Sequence, residues 1–212
     1  RPETFAEVLA PETRLVLIQR SCGYSLRESL SVAEIGAVCS AIKAIKPDCM
    51  VMVDNCYGEF TETCEPTSVG VDLIAGSLIK NPGGGIAPTG GYIAGRADLV
   101  ERAAARLTAP GIGAEVGSFV EGYRLFFQGL FLAPHVTAQA MKSAVFAAAF
   151  FAAKGYSVQP SCEATRHDII QAIELRSPEK LTAFCRGLQK YSPVDSHLKP
   201  EPAPMPGYAD PV

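Results

Sequence analysis

CMVMVDNCYG, residues 49–58, decides the fold. Cys49 to Val53 is a short, nearly continuous apolar run, the pattern of a strand buried on both faces, and it delivers Asp54 at its C-terminal end. Upstream, Arg14-Leu-Val-Leu-Ile-Gln19 has the same character. Between the two runs, Ser31-x-x-Glu34 is a capping box, and Ile35, Val38, Ala41, Ile42 and Ile45 recur at helical spacing until a stop near Pro47. Downstream, residues 72–77 read as a third strand, with Lys80 just after it, and residues 91–94 as a fourth. Residues 81–90 between them form a loop by composition. Strand, helix, strand predicts an α/β architecture with a mostly parallel sheet and flanking helices. Ligands of such sheets sit outside the C-terminal strand ends, where Asp54 and Lys80 both fall.

Further on, residues 98–107 predict a helix with Leu99, Val100, Ala103 and Leu107 on one side. Residues 118–154 read as mainly helical, broken near Gly129 and Pro134. The apolar run between Lys142 and Lys154 has 11 residues, short of the ~20 that a membrane span needs, so a buried core helix is expected. Residues 156–158 and 169–175 read as strands. Ser177-Pro178 opens a helix to about Lys190, with Pro at its first position. The organisation predicted is a large domain over 1–130, a connecting core helix over 131–155 and the start of a smaller α+β domain over 156–212.

Composition narrows the partners. The chain has 212 residues, 48% of them hydrophobic, enough to bury a sizeable core. A net charge of −3 leaves no basic footprint for nucleic acid and no polybasic patch for a membrane surface. The seven cysteines are odd in number, form no CxxC pair and follow no signal peptide. Reduced thiols in a cytoplasmic protein are expected, without a metal, since His135, His167 and His197 lie far from any paired cysteines. The first residue is Arg1 rather than Met and residues 202–212 are a Pro-rich loop, so a piece of a longer protein is expected.

Three features converge on one chemistry. Asp54 places a carboxylate at a strand end, Ser77 places a hydroxyl three residues before Lys80, and glycines crowd the chain right after that lysine. Pyridoxal phosphate (PLP) chemistry requires these parts: a lysine amine for a Schiff base, a carboxylate facing the pyridine nitrogen, and hydroxyl and backbone N–H donors for the phosphate. Taken alone, the same residues also fit a turn-forming Asp and a solvated Lys. The glycine loop lacks the GKS or GKT ending of a nucleotide-binding P-loop.

The strings VDNCYGEF (53–60) and GSLIKNPGGGIAPTGGYIAGR (76–96) resemble the Cys/Met-metabolism group of fold-type-I PLP enzymes. More narrowly they resemble the methionine γ-lyase-like or aluminium-resistance family, and RLTAPGIGAEVG and FQGLFLAPHV fit it too. The likeness runs over nearly the whole chain and is most specific around the lysine. It implies the large domain of a fold-type-I enzyme and PLP as cofactor. It also implies a homo-oligomer, dimer or tetramer, and the elimination of a thiol from a small amino-acid substrate such as methionine, cystathionine or a cysteine-like compound. Lys80 matches the Schiff-base lysine, Asp54 the carboxylate on the pyridine nitrogen, and Ser77 the phosphate-binding serine. Asn55 and Tyr57 sit inside the cofactor-binding motif without a defined role. Gly83, Gly84 and Gly85 fit a tight turn beside the cofactor or a plain turn.

The sequence departs from the pattern at its ends. No glycine-containing phosphate loop or ring-stacking aromatic precedes Arg14, and Arg20, Arg124, Arg166 and Arg176 compete for the substrate carboxylate. An alternative is an inactive PLP-fold piece that serves only as an interaction surface. A serine acyl-transferase reading of Ser77-x-x-Lys80 lacks its SDN and KTG partners. Cys56 is expected as a buried, inert thiol, His135 as structural near a helix start, and Glu59 and Glu65 as solvated. Phe126, Phe127, Phe131, Phe146, Phe150 and Phe151 are expected in the core or at a subunit interface.

Overall fold

The computed structural model describes residues 4–117, 119–204 and 206. Arg1, Pro2, Glu3, Ser118, Met205 and residues 207–212 lie outside them, so most of the loop expected over 202–212 falls outside the described residues. After a short helix α1 (Phe5–Val8), strands β1 (Leu15–Gln19), β2 (Met50–Asp54), β3 (Leu73–Ser77) and β4 (Gly91–Gly95) form one sheet in that order. β1, β2 and β3 run parallel and β4 is antiparallel to β3, so the sheet is mostly parallel.

The crossover from β1 to β2 is helix α2 (Val32–Ile45). Its start is fixed by the expected capping box: the Ser31 hydroxyl accepts the Glu34 N–H at 3.1 Å, and the Glu34 carboxylate accepts the Ser31 N–H at 2.8 Å. Ile35, Cys39 and Ile42 pack against Ile18, Val51, Val53 and Ile74 on one sheet face. Each such side chain contributes about 1.5–3 kcal/mol when fully buried, so this face is the stabilising core. Asp72 locks the same unit at the start of β3. It accepts from the Val51 N–H at 2.8 Å, Lys43 at 2.7 Å and Arg96 at 3.1 Å. Burial works against its charge, yet these donors hold its carboxyl below the usual range.

The opposite sheet face departs from expectation. The apolar runs predicted strands covered on both sides, but Leu15 and Leu17 are 42% and 60% exposed, and Ile93 on the same face is 44% exposed. Among the described residues, only the α2 side is closed. An apolar run reports that neither face is polar. It does not report what lies on each face.

After α3 (Ala97–Leu107) comes α4 (Arg124–Ala153), one continuous helix rather than a broken one. Pro134 is accommodated inside it on an exposed side. Gly129 is no breaker: a Cβ there would sit 2.2 Å from the Gly83 carbonyl oxygen, so the glycine lets α4 settle backbone-to-backbone on the turn after Lys80. The expected buried core helix is also corrected. α4 buries a narrow stripe of Gly129, Ala133, Thr137, Ala144 and Ala148, while Phe127, Phe131 and Phe146 are each at least 70% exposed. By length and composition α4 is apolar enough to cross a membrane.

The C-terminal part pairs β5 (Ser157–Gln159) with β6 (Ala172–Glu174), antiparallel, and adds α5 (Pro178–Lys190). Ser177 caps α5 by accepting the Lys180 N–H at 3.3 Å. The strand expected over 169–175 is shorter, because residues 166–170 bond elsewhere. Asp168 accepts from Ser21 Oγ at 2.8 Å and from the Cys22 N–H at 3.1 Å, and the Ile169 N–H donates to the Tyr57 carbonyl at 3.2 Å. This loop fastens the C-terminal part to the strand ends of the sheet.

Candidate active site

β2 ends in Asp54, beside Gln19 at the end of β1. β3 ends in Ser77, and a turn closed by the Lys80 N–H on the Ser77 carbonyl (3.3 Å) brings Lys80 back over the strand ends. Asp54 and Lys80 line one open cavity of about 490 Å³, together with Tyr57, Cys56, Arg27 and Ile170. Tyr57 adopts φ 70°, a left-handed conformation, and its ring lies under the Lys80 ammonium, 4.4 Å from Nζ to the ring centroid. Burial works against the Lys80 charge, but the Tyr57 hydroxyl, Cys56 and Asp54 outweigh it, so the amine sits above the ordinary lysine range. Cys56 sits in the same wall with its thiol pushed up, first by burial and then by Asp54, which disfavours the nucleophilic thiolate. Ser77 lies two residues beyond Ala75, the partner of Asp54, and so on the same sheet face. It does not line this cavity.

Asn55 turns away from the cavity, which corrects its expected contact with a cofactor. Its side chain is fully buried and committed on both ends. Oδ1 accepts from Arg20 at 2.8 Å, and Nδ2 donates to Glu65 at 2.9 Å and to the Tyr92 hydroxyl at 3.2 Å. Arg20 is fully buried, paired with Glu62 at 2.8 Å and Glu65 at 3.2 Å, and is thereby removed as a substrate-carboxylate candidate. Arg166 is also buried and bonds Gln171 at 2.6 Å and the Ile170 carbonyl at 3.3 Å. Arg176 lies exposed against Glu174, and Arg124 is exposed at the start of α4. His135 lies inside α4, not at a helix start.

Glu59 and Glu65 correct a second expectation, because neither is a solvated loop residue. Glu65 bonds Arg20, Asn55 and the Phe60 N–H. Glu59 is 3% exposed and accepts from the Tyr92 hydroxyl at 2.9 Å. Burial pushes Glu59 up to about 7, Glu65 adds to this, and the Tyr92 hydroxyl and Arg20 counter it only in part. The folded state therefore holds a proton that the unfolded state releases, so stability falls as pH rises from about 4.5 to about 7 and levels off above. The Glu59→Gln variant is expected to lack this slope. Between pH 5 and 8 it should lose roughly 2–3 kcal/mol less than the parent in denaturant titrations, and equal slopes would contradict a buried, proton-holding Glu59.

Arg27 was not singled out by the sequence, and no local signal marks it. It lines the Asp54–Lys80 cavity, and its guanidinium donates at 2.8 Å to the Gln19 and Glu28 carbonyls and also to the Ser21 carbonyl. It ties down the loop that forms one wall. Ser21 and Ile170 belong to the same wall, and Asp168 holds it from behind by accepting from Ser21, 147 residues away in sequence.

Residues 2–212 match the family model for methionine gamma-lyase. The chain belongs to the methionine gamma-lyase family. It is 47% identical over 210 residues to the uncharacterised protein YnbB of Bacillus subtilis, covering 99% of this chain and 50% of that one. A Listeria monocytogenes structure, assigned without proof of activity as a cystathionine beta-lyase involved in aluminium resistance, is 48% identical and superposes with a TM-score of 0.96 over 100% of this chain and 52% of its own. A carbon-sulfur lyase involved in aluminium resistance from Clostridium novyi is 47% identical, with a TM-score of 0.92 over 96% of this chain and 49% of its own. The cystathionine gamma-lyase of Lactobacillus plantarum, at 17% identity and TM-score 0.51, shares the fold. This methionine gamma-lyase family chain spans about half the length of the relatives it matches.

Proposed function

We propose that this chain carries the lysine-bearing half-site of a PLP-dependent carbon-sulfur lyase, active at the length of its relatives, that eliminates a thiol from a sulfur amino acid. One observation carries the reading: Asp54 and Lys80, delivered by two different strands, line the same cavity at the C-terminal strand ends. The carbon-sulfur lyase among its relatives supports the reaction class. The fold shared with a cystathionine gamma-lyase supports the fold-type-I assignment of the sheet.

The residues present fit the cofactor. Lys80 offers an amine for its aldehyde, and Asp54 a carboxylate that keeps a proton on its pyridine nitrogen. Ser77, one turn before the lysine on the Asp54 face, offers a hydroxyl near the strand end. When bound, PLP supplies the electron sink for the pair left on the substrate Cα. The chain's own groups do the rest. The Lys80 amine takes the α-proton as general base once it is deprotonated. The Tyr57 hydroxyl and the Asp54 charge favour the protonated amine, so Lys80 then carries that proton to the departing sulfur. Arg27 and Asp168 hold the Ser21-containing wall of the cavity in place. Subunit pairing is proposed through the exposed Phe127, Phe131 and Phe146 of α4, in place of a membrane.

Asp54→Ala tests the assignment. Removing one preorganised electrostatic partner is worth about 2.7–4 kcal/mol, so kcat is expected to fall roughly 10²–10³-fold. Asp54 is only half-buried, so the melting temperature should stay close to that of the parent. Normal turnover in this variant would refute the role. The rival reading, an inactive chain that acts as an interaction surface, predicts no turnover in the parent to begin with.

A further inference from the structure

Glu59 stands between the two asparagines that follow the acid and the amine. Asn55, next to Asp54, donates from Nδ2 to the Tyr92 hydroxyl at 3.2 Å, and that hydroxyl donates to Glu59 Oε1 at 2.9 Å. Asn81, next to Lys80, donates from Nδ2 to the Glu59 carbonyl oxygen at 3.0 Å. Asn55, Glu59 and Asn81 are 0%, 3% and 6% exposed, so water does not compete for these bonds. The side chain of Glu59 thus reaches the Asp54 end of the site, and its main chain reaches the Lys80 end.

The surroundings are shaped around this carboxyl. Gly76 lies beneath it: a Cβ at that position would meet Glu59 Oε1 at 2.4 Å and the Tyr92 ring at 2.5 Å. Glu59 Oε2 is buried without a partner among the described residues, an arrangement that costs stability and that a space-filling residue would not require. The charged and titratable groups around it are Tyr92 from β4, Arg20 from the end of β1, and Glu65 and Cys56 from the segment after β2. None of them contacts Oε2.

We propose that Glu59 is a positioning residue that sets where Asp54 and Lys80 stand relative to each other across the cavity. The consequence for turnover rests on the lyase reading, but the coupling itself is a property of the ligand-free chain. It is read on Lys80 without cofactor. The full-length apoprotein is labelled with acetic anhydride over a pH series, and the acetylation of the Lys80 peptide is followed by mass spectrometry to give the apparent pKa of that amine.

Asp54→Asn should lower this apparent pKa, because Asp54 is one of the groups holding it up. Tyr92→Phe cuts the relay while keeping the ring, and Glu59→Ala removes its end. Both are expected to reproduce at least half of the Asp54→Asn shift. In the loaded enzyme both should lower kcat about tenfold with KM within twofold, and Glu59→Gln, which keeps the acceptor oxygen, should restore the parent labelling profile. If Glu59→Ala does not fold, Tyr92→Phe decides. A Lys80 profile unchanged in Tyr92→Phe and Glu59→Ala, while Asp54→Asn moves it, overturns the positioning role and leaves the lyase reading intact. A profile that Asp54→Asn also leaves unchanged overturns the Asp54–Lys80 coupling on which the positioning role rests, while the lyase reading is decided separately by turnover in Asp54→Ala.

Discussion

Lys80→Ala is expected to abolish turnover and the covalent capture of PLP together. The substitution removes the amine that would bind the cofactor and, in the same atom, the general base. Loss of a positioned base alone costs about 10²–10⁴-fold, and loss of covalent capture adds to it. The measurement is paired. Activity is assayed in the full-length protein, and the PLP-treated protein is reduced with borohydride, digested and mapped by mass spectrometry. In the parent the pyridoxyl label should fall on the Lys80 peptide, and in the variant on none. A label on another lysine, or turnover in the variant within tenfold of the parent, would move the chemistry away from position 80. The fold should survive, since the Lys80 side chain is only partly buried and its polar contacts face the cavity.

Arg20→Ala is expected to be the most destabilising single change near the site. Arg20 is fully buried, and its guanidinium satisfies Asn55, Glu62 and Glu65 at once. Removing it leaves two carboxylates and a buried amide facing a void, and breaking a buried pair in this way costs about 3–5 kcal/mol. For chains of about this size each kcal/mol lowers the melting temperature by about 2–4 °C, so a fall of roughly 10 °C is expected in thermal melts. The contrast is Arg14→Ala. Arg14 and Asp48 also pair, at 3.0 Å, but are 72% and 62% exposed, and such a surface pair contributes about 0–1 kcal/mol. Equal effects from the two variants would mean that Arg20 is not paired as described. Gly58 supports the pairing: a Cβ there would meet the Arg20 side chain at 2.5 Å, so the guanidinium fills space that only a glycine vacates.

The sheet, its order of elements and the strand-end placement of Asp54 and Lys80 were legible in the sequence because each rests on local signals. Val51 and Val53 alternate into the α2 face, Ser31 and Glu34 form their cap from residues three apart, and Asp54 and Lys80 fall at strand ends by counting alone. The misread residues all depend on a distant partner. Gly129 reads as a break until the Gly83 carbonyl is seen against it. Glu59 and Glu65 read as solvated until Tyr92 and Arg20 arrive from other strands. Asn55 reads as a site residue because it adjoins Asp54, but successive side chains of a strand end point to opposite faces. Arg27 and Asp168 carry no local pattern at all.

The sequence by itself determined that a carboxylate ends one apolar strand and an amine follows another in a mostly parallel α/β order, since apolar runs and caps act over a few residues. Only the tertiary structure decided that both enter one cavity, that an arginine lies sealed behind them, and that α4 keeps its phenylalanines outward. Burial and pairing are set by what packs across the fold, and a residue's neighbours along the chain do not encode the atoms that meet it from 22 or 147 positions away.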